Sequence, residues 1–160
     1  MKIQVEAGLC RDCEACALAC SLLHEGESNP LLSRVLVKKD MANYKFSIVI
    51  CENCQLDGRT PDCVQSCSVD AIRLDERGVV MIYQDECIQC AACAEACPYE
   101  AIFYNENTNQ YFKCDLCAGE QDGPACVEIC PVGALTIRLE AVPGGSRCKA
   151  VGLGKFWRSI

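Results

Sequence analysis

The placement of the cysteines constrains this chain more than any other feature. Sixteen of its 17 cysteines fall into four clusters. The first is CRDCEACALAC, with Cys10, Cys13, Cys16 and Cys20 spaced x2, x2, x3. The second is CENCQLDGRTPDCVQSC, with Cys51, Cys54, Cys63 and Cys67 spaced x2, x8, x3. The third, CIQCAACAEAC, returns to x2, x2, x3 with Cys87, Cys90, Cys93 and Cys97, and Pro98 follows at once. The fourth, CDLCAGEQDGPACVEIC, returns to x2, x8, x3 with Cys114, Cys117, Cys126 and Cys130. The alternation is an internal repeat, and it extends beyond the thiols. CVQSCSVDAI and CVEICPVGAL also match at Val64/Val127, Val69/Val132 and Ala71/Ala134. Only Cys148 is left over.

C-x2-C-x2-C-x3-C-P is the spacing of bacterial ferredoxins, where three cysteines bind one 4Fe–4S cube and the fourth binds another. Three thiolates at x2 steps can wrap a loop round one small cube. The segment 92–97 reads as a short helix, and four helical residues advance ~6 Å, which carries the fourth thiol away from its own cube. Pro98 cannot continue the helix. Small side chains at Ala91, Ala92, Ala94 and Ala96 let backbone N–H groups approach sulfur. Zinc also uses C-x2-C pairs, but it gives no reason for a third cysteine at x2 and a fourth at x3. Disulfides fit poorly. The start MKIQVEAGLC has no apolar signal-peptide core, 17 is odd, and no apolar run reaches the ~18 residues of a membrane span. The expectation is a cytoplasmic protein without a membrane anchor.

Aromatic residues make up only 6% of the chain, so clusters must stand in for a large apolar core. The net charge of −7 speaks against nucleic acid as a partner. No catalytic constellation is visible. The only histidine, His24, lies in a polar stretch and is not needed as a ligand. VPGGS and VGLG do not match a dinucleotide-binding pattern. Chemistry on a substrate therefore belongs to a partner.

The linkers read as β-hairpins: RVLVKK and YKFSIVI around DMAN, AIRL and VVMIY around DERG, AIFY and QYF around NENTN. ALTIRL is a further strand. The fold class is α+β, with two ferredoxin-like units of short hairpins and short helices around four cubes. Each unit needs two motifs that exchange their fourth cysteines. Pairing the second motif with the third nests one unit inside the other. Pairing first with second and third with fourth fits the spacing nearly as well.

With these four motifs the chain resembles the four-cluster ferredoxin-type electron-transfer subunits of multisubunit oxidoreductases, the beta-subunit type of molybdenum and tungsten pterin enzymes. The resemblance covers roughly residues 3–140. CEACALACSLLHEGESNPLLSRVLV is most similar to the small subunits that accompany tungsten aldehyde oxidoreductases and benzoyl-CoA reductases, and partners of carbon-monoxide dehydrogenases and hydrogenases are similar too. The resemblance implies the nested pairing. Cys10, Cys13, Cys16 and Cys130 would hold one cube, and Cys114, Cys117, Cys126 and Cys20 its neighbour. Cys51, Cys54, Cys63 and Cys97 would hold a third, and Cys87, Cys90, Cys93 and Cys67 the fourth. Residues 1–50 with 110–140 would form the outer unit, 51–109 the inserted unit, and 141–160 a C-terminal arm. The implied partners are a catalytic subunit carrying the pterin, and a flavin- or NAD-linked subunit or ferredoxin. Two departures stand out: Ser21 and Ser68 stand where proline would follow the fourth cysteine.

The tail AVPGGSRCKAVGLGKFWRSI places Arg147, Lys149, Lys155 and Arg158 around Phe156 and Trp157. It reads equally as a docking arm and as a flap over the chain's own clusters. Cys148 reads as a free or packed thiol rather than a ligand. The x8 loops read first as plain surface loops and second as docking surfaces. Against the relay function stand a freestanding polyferredoxin and, from another class, a zinc-binding interaction module. Self-association into a longer cluster chain is a further expectation.

Overall fold

The hairpin linkers fold as their apolar alternation dictates. The computed structural model describes residues 2–54, 60–120 and 123–138. Strands β2 (Val35–Asp40) and β3 (Lys45–Ile50) pair antiparallel, with Val35 opposite Ile50. Strands β4 (Ile72–Leu74) and β5 (Val80–Ile82) form a second hairpin. The Asp75 carboxylate closes its turn by accepting from the N–H groups of Arg77 (2.9 Å) and Val79 (2.8 Å). Gly78 supplies the positive φ of 74° that the turn requires. Strands β6 (Ile102–Asn105) and β7 (Gln110–Lys113) form the third. Here Phe103 faces Phe112 and Tyr104 faces Tyr111 across the strands, with ring centroids 5.9 and 4.9 Å apart. Such cross-strand aromatic pairs stabilise a two-stranded ribbon.

The fourth sheet joins the ends of the described chain. Strand β1 (Lys2–Val5) pairs antiparallel with β8 (Leu135–Arg138), Lys2 opposite Arg138 and Val5 opposite Leu135. ALTIRL reads as a strand from its sequence. Its partner KIQV gives no such signal, because four residues are too few for an alternation to register.

Helices α1 (Ala15–Glu25), α2 (Asp62–Gln65), α3 (Ala92–Ala96) and α4 (Ala125–Glu128) each follow a motif's first thiols. The third motif's helix stops at Ala96, and Cys97 is already extended (φ −76°, ψ 111°), as Pro98 demands. The first motif behaves differently. Ser21 replaces proline, so α1 runs on to Glu25 and ends at Gly26 in the left-handed conformation. Ser21 is fully buried. Its hydroxyl donates to the Leu18 carbonyl at 3.1 Å and accepts from the Asn29 N–H at 2.9 Å, which ties the end of α1 to the following loop.

Helix α1 packs on α4, and α2 on α3. Two apolar cores result. One joins Ile3, Val35, Val37, Ile50 and Leu135 with Cys16, Cys20, Cys114 and Cys126. The other joins Ile72, Val80 and Ile102 with Cys63 and Cys93. Among the described residues no helix is long and apolar enough to cross a membrane.

Candidate metal centres

The x2 steps place thiols on tight turns built from left-handed residues. Asp12 and Glu14 in the first motif have positive φ, as do Gln89 and Ala91 at the same places in the third. Asn53 and Cys54 in the second motif match Leu116 and Cys117 in the fourth. The repeat in sequence is therefore a repeat in backbone. Non-glycine residues adopt this conformation at a cost of about 1–2 kcal/mol each, and persist there only where the surroundings hold them. The reward is direction: successive N–H groups turn inward, the arrangement that suits anionic sulfur. The N–H of Asn53 lies 3.4 Å from Cys51 Sγ, and that of Leu116 lies 3.4 Å from Cys114 Sγ.

The fold gathers the thiols in groups of four. Cys10, Cys13, Cys16 and Cys130 line one hollow. Cys67, Cys87, Cys90 and Cys93 line a second. Cys51, Cys54, Cys63 and Cys97 line a third. The remaining four adjoin one another: burial pushes the Cys126 thiol up, and the charges of Cys114, Cys20 and Cys117 push it further. Each group contains one cysteine contributed by a distant motif. Cys148 and the tail lie outside the described residues, as do parts of both x8 loops.

Two of the cysteines that close a motif are prepared to be thiolates. At Cys130 burial pushes the thiol up, but backbone N–H groups of Leu135, Val132, Ala134 and Gly133 outweigh it and hold the group below its usual range. The Ala134 N–H is 3.2 Å from the sulfur. Cys67 is likewise lowered: burial raises it, and the N–H groups of Val69, Ile72 and Ala71 more than compensate. At the other two closing positions a single N–H approaches. That of Ala101 lies 3.5 Å from Cys97, and that of Arg34 lies 3.4 Å from Cys20. Cys20 is buried deeply enough that its thiol is raised in spite of the Arg34 N–H.

The inner thiols are raised further. Burial, reinforced by neighbouring thiols, pushes Cys16 up to about 11 and Cys63 up to about 12. Burial pushes Cys114 up to about 12 as well. Four thiols so close cannot all ionise without a cation among them. Four soft sulfur donors with inward N–H groups fit an iron–sulfur cluster.

Iron loading must then displace protons that burial retains. The loaded chain binds fewer protons than the metal-free chain at every pH below the thiol range, so loading strengthens as pH rises. Anaerobic reconstitution should be more complete at about pH 8.5 than at about pH 6. Titration in weak buffer should record proton release on iron addition.

Several residues near the thiols carry no sequence signal. Arg34 pairs with Asp115 at 2.7 Å. His24, on the last turn of α1, places Nε2 3.6 Å from Asp115 Oδ1 and 3.7 Å from Cys117 Sγ. Burial and the nearby Arg34 lower its pKa, which favours neutral imidazole. In the sequence it lies in a polar stretch with no need of it as a ligand; the extension of α1 past Ser21 brings it to the sulfur. Lys113 is buried beside the hollow of Cys51, Cys54, Cys63 and Cys97.

Comparison with known proteins agrees with this chemistry. Residues 42–140 match the family described as 4Fe-4S dicluster domain. The thiosulfate reductase electron transfer subunit PhsB of Salmonella typhi is 32% identical over 138 residues, covering 79% of this chain and 69% of that subunit. The B subunit of polysulfide reductase from Wolinella succinogenes is 33% identical over 144 residues, covering 82% of this chain and 72% of that subunit. A solved chain of the active site complex BamBC of benzoyl coenzyme A reductase with 1,5-dienoyl-CoA superposes with a TM-score of 0.50. It is 26% identical and covers 92% of this chain and 82% of that one. The chain belongs to the 4Fe-4S dicluster domain family, as an electron-transfer iron–sulfur subunit of the kind that serves reductase complexes and not as a catalytic subunit.

Proposed function

We propose that the chain holds four 4Fe–4S clusters in the four thiol groups and relays electrons within a cytoplasmic oxidoreductase complex. The observation that carries this reading is the sharing of helices between groups. Cys16 and Cys20 lie on α1, yet Cys16 adjoins Cys130 and Cys20 adjoins Cys117. Cys93 and Cys97, four residues apart around α3, line different hollows. A four-residue helical step is ~6 Å, so adjacent centres lie close, and electron tunnelling falls steeply with distance. Bound cubes supply one-electron storage at potentials that the protein tunes within roughly −700 to +450 mV.

The two units are nested. Residues 1–50 with 110–140 form the outer one and 51–109 the inserted one. The β1–β8 pairing, which joins the two ends of the outer unit, supports this division. The catalytic partner carries a tungsten or molybdenum pterin, as in an aldehyde oxidoreductase or a benzoyl-CoA reductase. The other partner is a flavin- or NAD-linked subunit or a ferredoxin. Four loaded clusters add about −8 to the formal −7, so partners dock through basic faces and association weakens with salt.

Anaerobic purification from the native host, with iron, sulfide, tungsten and molybdenum measured, tests the reading. The expected result is about 16 iron and 16 sulfide per copy, after partner clusters are subtracted, with tungsten or molybdenum in the same complex. Full iron on a solitary chain would point to a free polyferredoxin. Little iron with several zinc would sink both.

A further inference from the structure

Lys113 closes β7 immediately before the fourth motif, and its side chain points inward, only 4% exposed. The ammonium donates to two backbone carbonyls, that of Val80 and that of Cys114, the latter at 2.7 Å. No carboxylate among the described residues lies within ion-pair distance of it. Glu52 and Asp62 line the same hollow, but Glu52 turns to Lys2 at 3.8 Å. The site is built rather than accidental. Val80 is wholly buried, its carbonyl held by Lys113 and its N–H by the Asn53 side chain at 2.7 Å. Asn53 itself is a left-handed residue of the second motif's turn.

A buried ammonium without a counter-ion costs several kcal/mol. Its compensating charge must come from something nearby that is anionic. Two groups of thiols lie there. Lys113 itself lines the hollow of Cys51, Cys54, Cys63 and Cys97. Its ammonium also lies 2.7 Å from the carbonyl of Cys114, a member of the other group. Lys113 thus stands between a thiol of each unit, where the two halves of the chain meet.

We propose that Lys113 is the tuning cation shared by the two clusters at Cys51, Cys54, Cys63, Cys97 and at Cys114, Cys117, Cys126, Cys20, the second of which also has Arg34 beside it. This rests on the four-cluster reading above. Each of those centres becomes one unit more negative when it accepts one electron from a low-potential donor, and no proton needs to move. A fixed positive charge beside them stabilises the reduced form and raises both potentials. The two clusters at Cys10, Cys13, Cys16, Cys130 and at Cys87, Cys90, Cys93, Cys67 lack this charge. Lys113 therefore makes the centres at the junction of the two units the easier ones to reduce.

The test is an anaerobic dithionite titration of the loaded full chain, followed by electron paramagnetic resonance, after iron and sulfide have been measured. Lys113→Gln keeps a donor for the two carbonyls without the charge. It should retain full iron while two of the four clusters become harder to reduce. The expected change is at least about tenfold in the reduction equilibrium, or about 59 mV for a one-electron couple. Lys113→Arg should restore the parent potentials. Lys38→Met, which removes an equal charge from an exposed pair with Glu100, should leave all four unmoved. If Lys113→Gln fails to hold iron, Lys113→Met decides by the same shift. Full iron with unmoved potentials, or an equal shift of all four clusters, overturns the role of Lys113. Fewer than about 16 iron on the unsubstituted protein overturns the cluster reading beneath it.

Discussion

Replacing Cys97 with alanine should cost the protein one cluster, and not the one that its own motif surrounds. Cys97 ends α3 in extended conformation and faces the hollow of Cys51, Cys54 and Cys63. Cys87, Cys90 and Cys93 of the same motif line a different hollow, with Cys67. Iron and sulfide should fall by about a quarter, from about 16 to about 12 per chain. Cys87→Ala should cause the same loss but leave a different set of paramagnetic signals. The comparison of the two spectra is the decisive measurement. If Cys97→Ala and Cys87→Ala remove the same signal, each motif keeps its own four ligands and the shared-helix arrangement is wrong. The arrangement follows from helix geometry: Cys93 and Cys97 are separated by four residues, yet the chain turns away at Pro98.

Removing the iron should unfold the chain. Among the described residues the largest fully buried side chains are Ile3, Ile72, Leu135, Val35, Val80 and Ser21, with no aromatic among them. Cysteines fill much of both cores. The motif turns also hold eight left-handed non-glycine residues: Asp12, Glu14, Asn53, Cys54, Gln89, Ala91, Leu116 and Cys117. At about 1–2 kcal/mol each, that strain is as large as the whole stability of an ordinary domain. Only bound metal offsets it, because in such small domains the free energy of metal binding is the free energy of folding. Anaerobic treatment with an iron chelator should therefore abolish amide dispersion in the NMR spectrum and any cooperative thermal transition. Reconstitution with iron and sulfide should restore both. A chelated chain that still melts cooperatively would show that the hairpins and aliphatic contacts suffice alone.

The hairpins and thiol turns were legible in the sequence because they are local. The Asp75–Gly78 turn, the β6–β7 aromatic pairs and the Pro98 stop all involve residues within about ten positions of one another. The extension of α1 was half legible. Ser21 in place of proline announced a different exit, but only the packed structure shows the helix running on to Glu25 and carrying His24 to Cys117. The β1 strand was not legible, since KIQV becomes a strand only by meeting LTIR at the other end of the described chain.

The sequence by itself determined that this chain binds iron–sulfur clusters through short-range thiol spacings, and that strands and short helices would separate them. Spacing acts through the backbone over a few residues, so it needs no tertiary context to be read. What only the tertiary structure decided is which distant groups share an environment. Cys130 joins Cys10, Cys13 and Cys16, α1 lies against α4, and the Arg34–Asp115 pair closes over 81 residues. It also decided that Lys113, one charge at the end of the strand QYFK, would be turned inward on Val80 between two thiol groups. Those outcomes depend on burial and on charges brought together across the fold, and neither is written in any single stretch of chain.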